Sequence, residues 1–499
     1  MCYETDETGE ISVSRQENRA KGAKQCHETD ETGEISVSWQ GNDLGTGGLR
    51  KFFVFLCAMK RVLVITYYWP PTGGSGVQRW VKFAKYLPQN GWQPVIYTPE
   101  NPEMTAVDHT LEVPESVEVI KRPITEPYNL YRKIMGKGAS TDMKTLTAAG
   151  SKEEVTPISS GKKSFKQWLS LWIRANLFVP DPRVGWVGPS ARYLKKYLKE
   201  HPVDVIVTTG PPQSMHLIGL RLHKALGIPW VPDFRDPWTR MYYLKHLPLT
   251  KCSWARLRKM EQSVLDNCTT VLTVTPLVQE DYAARTSTPV AMITNGYDAA
   301  DFQGPAPAPD GLFNITHTGL LAADGNPVEL WNVLGEMAAE SKEFRAKLRL
   351  RLVGRVDKEV YDAIDKAGIK ANVVDLGYLG HAETVKEQRS ASVLVLPLRN
   401  DPDYAIILPG KLFEYLASRR PVLGIGQPDG AMARVLVDTG AGTTAAFTDP
   451  ATMRTFLQKA WQQHLNGGIP EVSGDIDRFS RASTAHALAV LFTSLKNGR

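Results

Sequence analysis

From Lys60 onward the hydrophobic and polar positions repeat one unit: a short apolar run rich in β-branched residues, a loop with glycine or proline, then apolar positions at helical spacing. Arg61-Val62-Leu63-Val64-Ile65-Thr66 predicts a first parallel strand, and Val77, Trp80, Val81, Ala84 and Leu87 predict the helix after it. Further strands are predicted at 93–98, 203–209, 227–232 and 271–275, the last closing the first sheet, after which 290–294 leads to Asn295. A second series follows at 313–321, 348–353, 392–397 and 421–425. Apolar runs of this kind, alternating with helices, predict an α/β chain whose parallel sheets are covered on both faces. Between the two series, Gly304-Pro305-Ala306-Pro307-Ala308-Pro309-Asp310-Gly311 is a linker stiffened by proline, with a cleft expected beneath it. Residues 478–496 predict a terminal amphipathic helix.

The first 58 residues do not share this pattern. The eleven residues ETDETGEISVS at 4–14 recur at 28–38, with Cys2 and Cys26 in register. Two copies without an apolar face cannot build a repeat architecture, and their composition predicts disorder. Residues 52–58 after Arg50-Lys51 faintly resemble the apolar part of a signal peptide, but the long polar stretch before them argues against one. The leader reads as an extended start, with Met59 as the functional first residue.

Composition narrows the class. At 499 residues the chain expects two or three domains, and 42% apolar with 22% charged residues is ordinary for a soluble globular protein. A net charge of +6 permits attraction to an anionic membrane or to phosphate but does not require nucleic acid as a partner. Cys2, Cys26 and Cys57 lie in the leader, and only Cys252 and Cys268 in the body; neither spacing marks a metal knuckle or a disulfide framework, which fits a reducing cytosol. No apolar run reaches membrane-spanning length. Residues 137–163 read as a polar loop. In 165–174, Phe165, Trp168, Leu169, Trp172 and Ile173 share one helical face with Arg174 and lysines around it. That pattern suits a basic amphipathic helix on a membrane surface, and equally a helix packed on a sheet.

Candidate chemistry gathers in four places. In 407–416, Pro409 and Gly410 open a helix whose first turn carries Lys411 and Glu414, where unpaired N–H groups and the helix dipole favour an anion. The same two residues also read as a surface pair at i,i+3 spacing. After the first strand, Gly73 and Gly74 in Trp69-Pro70-Pro71-Thr72-Gly73-Gly74-Ser75-Gly76 let backbone approach a ligand, or serve only as a tight turn. Asp233-Phe234-Arg235-Asp236-Pro237-Trp238 follows a strand, where ligands of open α/β sheets bind. Two carboxylates bracketing an arginine are costly to bury without function or mutual pairing. His216 begins a helix after 203–209 and is either an acceptor contact or a packed group.

These stretches, with Asn295-Gly296-Tyr297-Asp298 before the linker, resemble the GT-B glycosyltransferases, in particular the retaining GT4 group, from about Lys60 to the C-terminus. The resemblance implies two Rossmann-like doubly wound domains facing across a cleft: residues 59–298 for the acceptor, 299–311 as linker, 312–475 for the nucleotide sugar, and 476–499 as a helix crossing back. It implies that Gly73, Gly74, Gly319, Tyr378, Leu379, Lys411 and Glu414 meet the donor. Arg355 replaces the Arg and Lys that usually follow Gly319, where this chain has Ala322-Ala323-Asp324-Gly325-Asn326. Asp236, Arg235 and Lys411 are the implied catalytic groups, with His216 on the acceptor side; the histidine usual near 234–236 is absent here. The first carboxylate of the family's Glu-x7-Glu motif falls on Ile406, with Asp401 or Asp403 as substitutes from the preceding loop. The implied reaction moves a sugar from a nucleoside diphosphate sugar to a saccharide or polyprenyl-diphosphate-linked acceptor. It proceeds with retention, with no cofactor and no metal, in cell-surface polysaccharide or lipopolysaccharide synthesis. The implied location is cytoplasmic, peripheral on the inner face of the membrane through 165–174. A sugar-nucleotide 2-epimerase of the same architecture and a non-enzymatic membrane-associated partner protein are the alternatives.

Overall fold

The computed structural model describes residues 59–104, 107–108, 111–125, 165–305, 307–308, 310–468, 472 and 474–496, and in the leader 2–5, 11–14, 25–29 and 35–39. The polar loop predicted at 137–163 lies outside them. The chain divides into two compact units, Met1–Met59 and Lys60–Arg499.

In the leader, β1 (Cys2–Thr5) pairs antiparallel with β2 (Ile11–Ser14), and β3 (Gln25–Thr29) with β4 (Ile35–Trp39). Composition alone predicts disorder there; the described residues instead form the same hairpin twice, with Cys2 opposite Ser14 and Cys26 opposite Ser38. The cause is the alternation Ile-Ser-Val-Ser, which has the period of a strand. A lone two-stranded ribbon is marginal in water.

Lys60–Arg499 holds two parallel sheets. The first contains β5 (Lys60–Ile65), β6 (Trp92–Pro99), β7 (Glu118–Arg122), β8 (Val205–Gly210), β9 (Trp230–Phe234), β10 (Val271–Thr273) and β11 (Val290–Met292), in the order β11-β10-β9-β8-β5-β6-β7. Its helices are α1 (Ser75–Tyr86), α2 (Phe165–Leu177), α3 (Val184–Glu200), α4 (Ser214–Leu226), α5 (Lys251–Asn267) and α6 (Pro276–Ala283). The second sheet contains β12 (Phe313–Thr318), β13 (Leu348–Val353), β14 (Val373–Gly377), β15 (Val393–Pro397), β16 (Val422–Ile425) and β17 (Gly442–Ala445), in the order β14-β13-β12-β15-β16-β17. Its helices are α7 (Val328–Glu340), α8 (Lys342–Lys347), α9 (Lys358–Lys366), α10 (His381–Ser390), α11 (Gly410–Ala417), α12 (Ala431–Asp438) and α13 (Pro450–Leu465), and α14 (Arg481–Lys496) ends the chain.

Each sheet starts in its middle, winds outward one way, then returns and winds the other way. That is the doubly wound order, and it opens a crevice at the carboxyl ends of the two central strands. The crevice of the first lobe lies after β5 and β8, and that of the second after β12 and β15. The central strands β8 and β12 are buried along their whole length because both faces are covered, and in β5 Val64 lies between Ile96 and Val207, all three fully buried.

Three details depart from the sequence reading. The first sheet closes on β11 rather than on 271–275. β9 extends through Phe234, so Asp233 is a fully buried strand residue and not part of a loop. Residues 375–377, read as loop, are the end of β14. The last helix packs Ala485, Leu488, Ala489 and Phe492 against Val62, Trp80 and Phe83 of the first lobe. Burying Leu488 and Phe492 stabilises that contact by about 1.5–3 kcal/mol each. The Asn-Gly-Tyr-Asp segment fastens this return. Tyr297 N–H donates to Phe479 O, Arg481 N–H donates to Tyr297 O, and a Cβ on Gly296 would lie 2.1 Å from Phe479 O.

Candidate active site

The second-lobe site is built where β12 ends. Gly319 follows with φ +109, and a Cβ there would fall 1.7 Å from Lys411 Nζ. The Lys411 ammonium therefore lies directly on the glycine, a position any side chain would take from it. Gly354, at φ +107, packs on Gly319 in turn, since its Cβ would meet Gly319 O at 2.6 Å. Pro409 precedes α11, whose first turn presents its amide N–H groups beside Lys411. One turn on, Glu414 Oε2 accepts from Gln388 Nε2 at 3.0 Å. Below Lys411, His317 Nδ1 lies 3.0 Å from Val395 O, and burial and the Lys411 charge push its pKa down to about 4. His317 is thus a neutral floor to the site, and Lys411 is the cation.

This corner faces the first lobe. Glu414 acts electrostatically on His381 and on Arg481, and Arg481 in turn feels Arg79 and Asp298. Burial, together with Arg79, lowers Arg481 to about 10, against the pull of Asp298 and Glu414. Burial raises the Asp298 carboxyl, but hydrogen bonds from Lys82 Nζ at 2.7 Å and Tyr86 OH at 2.8 Å outweigh it and bring the pKa to about 2.

On the first lobe, Arg235 spends its guanidinium on three backbone carbonyls: Gly76 O, Gly210 O at 3.2 Å and Pro211 O at 2.7 Å. It ties the first turn of α1 to the end of β8 and the loop after it. Asp236 is buried beside it. Gly73 packs against Asp108, and Gly74 caps α1 at φ +99. His216 is fully buried against Phe234, ring centroids 4.4 Å apart, with Nδ1 2.9 Å from Thr208 Oγ1. Burial first, then the Arg235 charge, lowers its pKa to about 3, against Asp233, so it is a neutral packed ring.

Other expected donor contacts lie at the rim. Arg355 is 67% exposed and pairs with Asp357 at 3.5 Å. Tyr378 is 94% exposed, and Leu379 is half-buried next to it. Asp401 and Asp403 do not turn toward Lys411: both accept from Lys245 Nζ of the first lobe, at 2.9 and 2.8 Å. Ile406 is 8% exposed and joins the first lobe's apolar core, while Arg434 pairs with Glu280 nearby. Segment 401–407 thus docks the second lobe on the first just ahead of Lys411. Ile406→Glu, which installs the carboxylate that the resemblance expects there, would leave an unpaired carboxylate in that contact. Such burial costs several kcal/mol. The expected result is separated lobes, read as a larger radius of gyration by small-angle scattering, and a higher donor KM; an unchanged radius would refute the docking role.

Sequence reasoning did not find Gln388, Arg481 or Arg79. Arg79 carried one signal, a cation on the apolar face of α1 with Val77, Trp80 and Phe83. Among the described residues no group of three or more His, Cys, Asp or Glu is placed to hold a metal ion. A cavity of about 430 Å³ lined by Ile293, Thr294, Arg434 and Asp438 contains none of the expected site residues.

Solved structures of the same fold include a glycosyltransferase from Rickettsia africae, 10% identical, TM-score 0.54, covering 88% of this chain and 99% of that one. A sucrose-phosphate synthase from Thermosynechococcus elongatus is 13% identical, TM-score 0.53, covering 88% and 100%. The lipopolysaccharide outer core galactosyltransferase WaaB is 13% identical, TM-score 0.50, covering 87% and 99%. No curated protein matches the chain. Fold defines the class: Lys60–Arg499 has the GT-B fold of these glycosyltransferases. More narrowly, residues 155–301, which hold His216, Arg235 and Asp236, match the model of Glycosyltransferase Family 4.

Proposed function

We propose that the chain transfers a sugar, with retention, from a nucleoside diphosphate sugar to a hydroxyl of a saccharide or polyprenyl-diphosphate-linked saccharide. The proposed role is in cell-surface polysaccharide assembly. The observation that carries this reading is Lys411 Nζ seated on Gly319 at the mouth of α11, with Glu414 one turn further. As the C1–O bond loosens, negative charge develops on the departing diphosphate. Lys411 and the first amides of α11 stabilise that charge where it forms, the largest single term in such catalysis. Glu414 takes the ribose hydroxyls, Tyr378 and Leu379 flank the base, and Arg355, held only by a long surface pair, swings to the phosphates. Gly73 and Gly74 lie over the donor, with Asp236 on the acceptor side, held by Arg235; His216 supports that wall from behind. No metal or cofactor enters this scheme.

Peripheral contact with the inner face of a membrane is part of the proposal. It is supported by α2, where Trp168, Leu169 and Ile173 are exposed and Leu177 is 63% exposed. Among the described residues no helix is long and apolar enough to cross a membrane. The test is incubation with UDP-, GDP- and ADP-sugars, with and without a polyprenyl-diphosphate saccharide. Acceptor-dependent release of nucleoside diphosphate, with the anomeric configuration kept, is the expected result. Conversion of a free nucleotide sugar without acceptor would instead identify an epimerase.

A further inference from the structure

We propose that Gln388 is the positioning residue of the donor site, acting on the nucleotide only through Glu414; this rests on the reading of Glu414 as the ribose contact. Gln388 lies on α10, fully buried, between the end of β12 and α11. A primary amide has two N–H groups, and here both are committed: Nε2 donates to Thr318 Oγ1 at 3.2 Å and to Glu414 Oε2 at 3.0 Å. The neighbouring Tyr415 closes the loop, its OH accepting from Thr318 N–H at 2.9 Å. Thr318 is thus tied twice to α11, once directly and once through Gln388, and it immediately precedes the glycine on which Lys411 lies.

The orientation of the amide follows from charge. A flipped amide would set its oxygen against the carboxylate, acceptor against acceptor, whereas Nε2 makes a charge-assisted bond. A glutamate side chain has three rotatable bonds, and without Gln388 nothing described would hold its Oε2. With Oε2 occupied by the protein, Oε1 is the oxygen that the ligand hydroxyls meet. Displacing a binding group by about 1 Å can cost on the order of 10²-fold in rate. The geometry also separates two functions within one helix turn: Lys411 is set by Gly319, and Glu414 is set by Gln388.

The experiment uses the full chain with Gln388→Met, which keeps length and apolar bulk, and Gln388→Glu, which sets two carboxylates face to face. Donor KM and kcat are measured alongside calorimetric binding of UDP, GDP, ADP and inorganic diphosphate. Both variants are expected to raise donor KM and to weaken the preferred nucleoside diphosphate about tenfold or more, by analogy with lost orienting partners. Inorganic diphosphate, which needs Lys411 and not Glu414, should bind as in the wild type. In a Glu414→Ala background, Gln388→Met should change donor KM less than about twofold, the non-additivity of residues acting as one unit. Three results would overturn the proposal: unchanged nucleoside diphosphate binding in both variants, equal loss of inorganic diphosphate, or full additivity with Glu414→Ala. A wild-type chain that binds none of the nucleoside diphosphates would instead overturn the donor reading beneath it.

Discussion

Lys411→Ala should lower kcat/KM for the nucleotide sugar by about 10²–10³-fold, the usual loss when one preorganised group at a developing negative charge is removed. The fold should survive, because alanine is the best helix former and Lys411 is only half-buried at the start of α11. The thermal midpoint is therefore expected to stay near that of the wild type while turnover collapses. Gly319→Ala should reproduce the defect from the other side. Its methyl would fall where Lys411 Nζ stands, and the position has φ +109, which costs a side chain about 1–3 kcal/mol. Combining the two changes should cost little more than either alone, since each removes the same ammonium from the same place. Steady-state kinetics with the donor, paired with calorimetry on the nucleoside diphosphate, checks both. Turnover within threefold of the wild type in Lys411→Ala would remove that lysine from the mechanism.

Asp233→Leu should be the most destabilising single change at the site, by about 3–5 kcal/mol, because it strands a buried cation. Asp233 is fully buried and accepts from Arg79 Nε at 3.2 Å, Arg79 NH2 at 3.1 Å, Trp80 Nε1 at 2.8 Å and Thr209 Oγ1 at 3.1 Å. Arg79 also donates to Ile293 O and Thr294 O, both at 2.9 Å, so its charge cannot move out to water without releasing the stretch between β11 and Asn295. The double change Asp233→Leu with Arg79→Met should recover a good part of the loss, because replacing both partners by apolar groups is far cheaper than removing one. Urea unfolding of the two single variants and the double variant measures this. A single variant within about 1 kcal/mol of the wild type would mean that the pair is not buried in solution.

The two carboxylates around Arg235 show where reading residues in order stops helping. In sequence Asp233, Arg235 and Asp236 look like one charged cluster. In the fold Asp233 belongs to the lobe's interior with Arg79, and Arg235 binds backbone of the first turn of α1 and of the loop after β8. Position 406 gives the same lesson. An isoleucine in place of a carboxylate reads as a missing donor contact, but its side chain is part of the contact between lobes.

What the chain order alone determined is local: strand, loop and helix alternate because apolar period and turn chemistry act within a dozen residues. For the same reason Lys411 and Glu414 could be placed on one helix turn without coordinates, whereas the place of Gly319 at a strand end followed from the family resemblance. What only the tertiary structure decided is which distant groups meet: Lys411 with Gly319, Gln388 with Glu414 and Thr318, Arg79 with Asp233, Lys245 with Asp401 and Asp403. These pairings are set by the order in which strands join the two sheets and by how the lobes dock. A side chain's hydrogen bonds depend on whatever that topology brings within 3 Å, and no local pattern in the chain encodes it.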